Sequence, residues 1–219
     1  MGLNSSGLFS SQSSEHYTPR PILERVVRTL GEIDLDPCSN SGDSPNVPAR
    51  AHYTQEDNGL LLPWLGRVYM NPPYGREIGA WVAKLLSEYQ AGRVSSALAL
   101  VPARVDSKWF ASLYGFPVCF ISGRLRFSNP SGESSGSAPF PSAMLFLGMD
   151  WGAFFREFET LGRLYVSRGA RDSAVLSGSH WLGQWSQVDS EEREIRPSLA
   201  ELGQRSGDSA VSGRAPHGA

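Results

Sequence analysis

Apolar positions recur along residues 16–167 at two spacings, one helical and one extended, and outside that span the recurrence stops. In "PRPILERVVRTLG", Ile22, Leu23, Val26, Val27 and Leu30 fall on one helical face, and Gly31 is the stop. "EIDLDP" is a short strand broken by Pro37, and "VPARAHYT" has room for one more strand. "RVYMN" is a continuous apolar run of the kind buried on both faces of a sheet. "REIGAWVAKLLSEYQAG" returns to helical spacing, with Ile78, Trp81, Val82, Leu85 and Leu86 inward and Gly92 just past the end. "SSALALVPA" is another apolar strand, and "DSKWFASLYG" is a short helix with Asp106 as its expected N-cap. "PVCFISGRLRF" and "SAMLFLG" read as two strands, separated by the turn-forming stretch "SNPSGESSGSAPFP".

Strand–helix alternation followed by two strands without a helix between them predicts an α/β fold. Its parallel sheet carries right-handed crossovers and ends in an antiparallel hairpin at one edge. Ligands in such sheets bind beyond the carboxyl ends of the strands. Asp36, Asn71 and the Pro102–Arg104 turn are expected on that one rim. The domain is expected to span 16–167. Residues 1–15 form a Ser/Gly-rich, loose start, and 168–219 a polar tail with room for a short helix near 190–203.

Composition changes little in this picture. The 219 residues are 40% apolar and 19% charged, ordinary for a globular protein, and the net charge of −2 excludes a global basic field. Charge is nevertheless uneven. Between residues 60 and 130 stand eight basic residues (Arg67, Arg76, Lys84, Arg93, Arg104, Lys108, Arg124, Arg126) and three acidic ones (Glu77, Glu88, Asp106). A mixed solvated surface and a phosphate-facing patch fit that count about equally. Cys38 and Cys119 have no metal-ligand spacing and the four histidines are scattered, so no metal site is expected. No window resembles a membrane span or a signal peptide, and a cytoplasmic location is expected (the host cytoplasm for a phage-encoded chain).

The candidate chemistry lies in "VYMNPPYG". A residue before proline is kept out of the helical region, so Asn71 is presented in extended geometry. Pro72 and Pro73 lack N–H groups and keep their carbonyls. The loop thus offers two acceptors, the Asn71 amide oxygen and a prolyl carbonyl, which suit one amino group. Tyr74 adds a flat face on which a base could stack, worth roughly 1–3 kcal/mol. An aromatic amine is a poor nucleophile because its lone pair is delocalised into the ring. Two acceptors that draw the nitrogen toward tetrahedral geometry restore the lone pair, and positioning and electrostatics then supply most of the catalysis.

"NPPY" (Asn71, Pro72, Pro73, Tyr74) resembles the catalytic tetrapeptide of S-adenosylmethionine-dependent amino-methyltransferases. "YTPRPILERVV" resembles the segment that packs against the cofactor's methionine moiety, and "DPCSNSG" the cofactor loop of the DNA enzymes. With "YTQEDNGLLLPWLGRVYMNPPYG", "ALVPARVDSKWF" and "ISGRLRF", residues 16–165 resemble the phage-type DNA N6-adenine methyltransferases. The resemblance implies a Rossmann-like class I sheet, S-adenosyl-L-methionine as cofactor, double-stranded DNA as partner, and an adenine flipped out of the duplex. It also implies catalytic roles for Asn71, Pro72, Pro73 and Tyr74, and cofactor contacts from Tyr17, Thr18, Pro19, Asp36, Pro37 and Cys38.

Two features depart from that pattern. Asn40 stands where the cofactor loop has Gly. Only 34 residues separate Asp36 from Asn71, too few for two strand–helix repeats, so the amino-terminal half is abbreviated. Glu56 and Asp57 are candidates for the cofactor's ribose and adenine by position and charge; the bland alternative is an exposed turn. Arg124 and Arg126 are expected on one strand face as DNA contacts, beside a loop, 128–141, that reaches into the duplex. The same NPPY chemistry serves methyltransferases that act on RNA or on protein glutamine. The short 36–71 segment also leaves open a non-catalytic nucleic-acid-binding relic.

Overall fold

The structure is a computed structural model that describes residues 16–128 and 134–167. The 1–15 start, the 168–219 tail with its expected helix near 190–203, and the tip of the 128–141 loop lie outside the described residues. Helix α1 (Arg20–Leu30) starts at Pro19, whose carbonyl accepts from the Ile22 and Leu23 amides, and ends at Gly31. Then follow β1 (Ile33–Asp36), β2 (Ala49–His52), β3 (Gly66–Met70), α2 (Ile78–Gln90) and β4 (Val94–Pro102). After these come α3 (Lys108–Ala111), β5 (Val118–Ile121), β6 (Arg126–Ser128), β7 (Ser134–Ser137), β8 (Ser142–Leu147), α4 (Trp151–Phe158) and β9 (Gly162–Tyr165).

Among the described residues, seven strands form one sheet in the order β2-β1-β3-β4-β8-β5-β9, with β2, β1, β3 and β4 parallel. Strand β8 runs antiparallel to both neighbours, β4 and β5, and β9 is antiparallel to β5. The expected edge hairpin is therefore corrected. The antiparallel pair exists, but β8 is inserted inside the sheet, where Ala97 pairs with Leu147 and Pro102 with Ser142, and β9 is the edge. A strand that is apolar on both faces gains more by burial between two others than at an edge. All six residues of β8 are buried.

Side chains alternate between two core layers. Val68, Met70, Ala97, Ala99, Val101, Ala143, Leu145 and Val118 meet the inward faces of α2 and α3. Tyr69, Leu98, Leu100, Met144, Phe146 and Cys119 meet α1 and α4. Helix α4 was not anticipated from sequence. Asp150 caps it by accepting from the Gly152 amide at 3.0 Å, and Phe154, Phe155 and Phe158 give it a buried face. Between β1 and β3 the described chain crosses by loops and no helix, the form the abbreviation takes.

Two local expectations shift. The α3 cap is Ser107, whose Oγ accepts from the Phe110 amide at 3.3 Å, in place of Asp106. "PVCFISGRLRF" is two strands in different sheets. At Gly123 the backbone turns to φ 75°, and β6 leaves to pair with β7 in a separate two-stranded ribbon. Arg124 thus lies in the turn and Arg126 on β6, both exposed, and they do not share one long strand face.

Part of the local basic excess is structural. Arg67 donates through Nε to Asp34 at 2.8 Å and also pairs with Glu32, and its guanidinium holds both carboxyls below their ordinary range. Lys84 and Arg93 both pair with buried Glu88. Among the described residues, no helix is long and apolar enough to cross a membrane, and no His, Cys, Asp and Glu cluster could hold a metal ion.

Candidate active site

The parallel strands β1 and β3 are neighbours, with Leu35 opposite Val68, so their carboxyl ends bring Asp36 and the Asn71 loop side by side. Cys38 links the two: its amide donates to Asp36 Oδ1 at 3.2 Å, and the Asn71 backbone faces its thiol. Burial, with the Asp36 charge behind it, pushes the thiol well above its ordinary pKa. The thiol is therefore neutral and serves as packing.

Asn71 is half-buried and its amide is fully oriented. Nδ2 donates to the His16 carbonyl at 2.6 Å and to Thr18 Oγ1 at 3.1 Å. A carbonyl only accepts, so the nitrogen must face His16 and the oxygen must face the other way. That oxygen accepts from the Tyr74 hydroxyl at 2.7 Å; the hydroxyl also lies 3.2 Å from the Leu100 carbonyl. Thr18 is buried and bonds the Tyr69 hydroxyl at 2.8 Å. Burial raises the Tyr69 and Tyr74 phenols well above the ordinary value, so both stay protonated. Pro72 is buried, and its carbonyl accepts no hydrogen bond among the described residues. Pro73 is exposed.

Residues 16–19 thus tie the rim together. Tyr17 forms an antiparallel bridge to Ser128, whose amide donates to the Tyr17 carbonyl at 2.9 Å. Asn46 donates to the Thr18 carbonyl at 3.0 Å. Four rings gather beside Asn71. The His16 imidazole lies 4.6 Å from Phe127 and 5.6 Å from Phe140, at interplanar angles of 30° and 23°. Tyr74 meets His16, Phe127 and Phe140 edge-on, at 81°, 67° and 82°. Sequence reasoning missed His16, Phe127 and Phe140. Phe127 stood inside the quoted "ISGRLRF", but no periodicity marked it or the other two rings as partners.

Asp36 is 3% exposed and has no salt-bridge partner among the described residues. Burial pushes its carboxyl up to about 7, opposed by a hydrogen bond from the Cys38 amide at 3.2 Å and by the Ser39 side chain. The loop beneath is tightly packed. A Cβ on Gly59 would stand 2.1 Å from the Pro37 carbonyl, and Trp64 Nε1 donates to the Gly59 carbonyl at 2.8 Å. Gly59→Ala is expected to lower stability by about 1–3 kcal/mol through overpacking, read as a lower midpoint of denaturant unfolding.

Glu56 and Asp57 stand on the loop after β2. Asp57 caps Thr54, accepting from its amide at 2.8 Å and its hydroxyl at 2.9 Å, and both carboxyls are exposed. Hydrogen bonds to Thr54 hold both below the ordinary carboxylate range. That is the geometry of a local turn. Asn71, Pro72, Tyr74, Thr18, Asp36 and Cys38 come together, whereas Arg124 and Arg126 stand on the ribbon side.

A search of curated proteins returns no match. A family profile described as DNA N-6-adenine-methyltransferase (Dam) matches residues 6–174, a span that holds every element and every side chain of the rim. A carboxylate and an oriented amide at adjacent strand ends suit the transfer of a methyl group to an amine, and the chain belongs to the DNA N-6-adenine-methyltransferase (Dam) family.

Proposed function

We propose that the protein methylates the N6 amino group of adenine in double-stranded DNA at the Asn71–Tyr74 loop, with the target base outside the helix and S-adenosyl-L-methionine as methyl donor. The observation that carries this reading is the juxtaposition of the Asn71 amide with the buried Asp36 carboxyl, which has no salt-bridge partner among the described residues, at the ends of two adjacent parallel strands. The sheet is compatible with a Rossmann-like class I methyltransferase core, with β8 as the inserted antiparallel strand.

The residues at Asp36 fit the cofactor. A buried carboxylate without a cation partner is costly, and a ligand that carries positive charge offsets that cost. When bound, S-adenosyl-L-methionine supplies a methyl group on a cationic sulfur, an electrophile with a neutral leaving group. Asp36, Pro37, Cys38, Tyr17, Thr18 and Pro19 would hold it, and Glu56 and Asp57, on the loop after β2, are candidates for its ribose and adenine.

The chain's own work is on the amine. Asn71 Oδ1 keeps one lone pair after the Tyr74 bond, and the neighbouring Pro72 carbonyl accepts no hydrogen bond among the described residues. These two acceptors take the two N–H bonds of the amino group and turn its lone pair out of the ring plane. Asn71 cannot rotate away, because His16, Thr18 and Tyr74 hold both ends of its amide. Tyr74 therefore has a task the sequence did not suggest: its hydroxyl orients Asn71, while its ring forms one wall of the aromatic group. Extruding a base costs a few kcal/mol, which contacts made outside the helix must offset. Arg124 and Arg126, exposed beside the β6–β7 ribbon, are the candidates for phosphate contact, together with the 128–141 loop.

Tyr74→Phe removes the hydroxyl and keeps the ring. It is expected to lower kcat about tenfold, consistent with one lost orienting hydrogen bond of roughly 1–1.5 kcal/mol, with KM for DNA little changed. The test of the proposal itself is transfer of tritiated methyl from S-adenosyl-L-methionine to unmethylated duplex DNA, in competition with RNA and with glutamine-containing peptide. DNA should be the acceptor. Cofactor binding by calorimetry with no transfer to any DNA would refute catalysis, and preference for RNA or peptide would refute the substrate.

A further inference from the structure

The imidazole of His16 is a flat heteroaromatic ring packed among three other rings beside the Asn71–Tyr74 loop. It lies at 30° and 23° to Phe127 and Phe140 and edge-on to Tyr74, and the main-chain carbonyl of the same residue accepts from Asn71 Nδ2. Phe127 is almost fully buried, and His16, Tyr74 and Phe140 are each half-buried, so the group opens toward solvent on one side. An aromatic-lined recess left empty would expose those faces to water. A ring with polar edges can fill it and yet be released to water more readily than a phenyl ring can.

We propose that His16 is a self-ligand of the base pocket: its imidazole holds the place of the extrahelical base in the free protein and swings out when the base enters. This inference rests on the adenine-methylation reading above. The backbone makes the exchange cheap. His16 touches Asn71 through its main-chain carbonyl, and the ring is a separate contact. Rotation of the side chain alone empties the pocket while the carbonyl keeps Asn71 Nδ2 in place. The adjoining backbone is also fixed, by the Tyr17–Ser128 bridge and the buried Thr18. No strand or helix has to move. The imidazole is smaller than a purine, so it competes with the base without matching it, and an undistorted duplex that offers no free base leaves the pocket closed.

The test uses the full-length chain and the fluorescent free base 2-aminopurine, whose emission is quenched on stacking. His16→Ala should bind 2-aminopurine about tenfold more tightly than wild type, because stacking on the freed rings is no longer contested. His16→Phe should bind no better than wild type, since a phenyl ring refills the site. Equal or weaker binding by His16→Ala would overturn the proposal. So would tighter binding by both variants, since a gain unrelated to an emptied pocket would then explain it. A second measurement needs no variant. The His16 Hε1 resonance of the wild type should be shifted upfield by the neighbouring rings and should move downfield as 2-aminopurine saturates the site; an unmoved resonance at saturation contradicts displacement. Failure of this proposal is distinguishable from failure of the functional reading. An active wild type with no gain in His16→Ala sinks the self-ligand alone. A gain in His16→Ala from a chain that methylates no DNA sinks the function alone.

Discussion

Asn71→Ala is expected to reduce methyl transfer to DNA by at least about 10²–10³-fold, the range seen when one preorganised group at a reacting centre is removed. The variant loses the acceptor that, with the Pro72 carbonyl, reshapes the amine. It also leaves Tyr74 without the partner that directs its hydroxyl. The structural cost should be small. The His16 carbonyl and Thr18 Oγ1 lose a donor, but Asn71 is only half-buried and water can replace it, so a stability loss of roughly 1–2 kcal/mol is expected. Single-turnover rates, thermal melts and cofactor calorimetry separate the contributions. The account requires a collapsed rate constant, a nearly native melt and unchanged cofactor affinity. A variant that keeps more than about a tenth of the wild-type rate would remove Asn71 from the chemistry.

Asp36→Asn is expected to act in opposite directions on stability and on binding. The wild-type carboxyl has its folded pKa raised from 3.8 to about 7 by burial. Below about pH 4 it is protonated in both the folded and the unfolded chain and costs nothing. As the pH rises toward 7, the unfolded chain releases its proton first, so stability falls across that window and then levels off. The full penalty is on the order of 4 kcal/mol as an upper bound. Asp36→Asn removes the titration. The empty variant should be more stable than wild type at pH 8, and its stability should no longer decline between about pH 4 and 7. Binding of S-adenosyl-L-methionine should be lost, because the variant offers no negative charge. In the wild type, cofactor affinity should rise with pH up to about 7 and then flatten, with proton release measured by calorimetry in buffers of different ionisation enthalpy. An Asp36→Asn variant that binds the cofactor as well as wild type would show that the carboxylate serves the fold and not the ligand.

Much of this was legible from local sequence, and the limits have physical causes. The Asn71–Tyr74 loop announces itself because a pre-proline residue and two prolines fix their own geometry, whatever surrounds them. Asp36 was legible because it ends a short apolar strand. The position of β8 was not, since its apolar run states that it is buried but not between which neighbours; that is decided by pairing with Ala97–Pro102 and Val118–Phe120. The cap of α3 slid by one residue because both Asp106 and Ser107 can cap and only the fold chooses. The aromatic group was least legible. His16 lies 55 residues from Asn71, and Phe127 reaches His16 and Tyr74 only because the chain leaves the main sheet at Gly123 and returns as a ribbon. The basic count left two readings open, and three of its eight residues go to structural pairs: Lys84 and Arg93, on the same helix as Glu88 and just past its end, with that nearby Glu88, and Arg67 with Asp34, 33 residues away, which only the fold brings beside it.

The measurement that bears most directly on the central claim is the chemical identity of the product. Unmethylated DNA incubated with the protein and S-adenosyl-L-methionine, then digested to nucleosides and separated by chromatography with mass detection, should contain N6-methyldeoxyadenosine, and a parallel incubation with Asn71→Ala should contain almost none. A folded, cofactor-binding wild type that leaves every deoxyadenosine unmodified, or that places the methyl group on another base, would contradict the account.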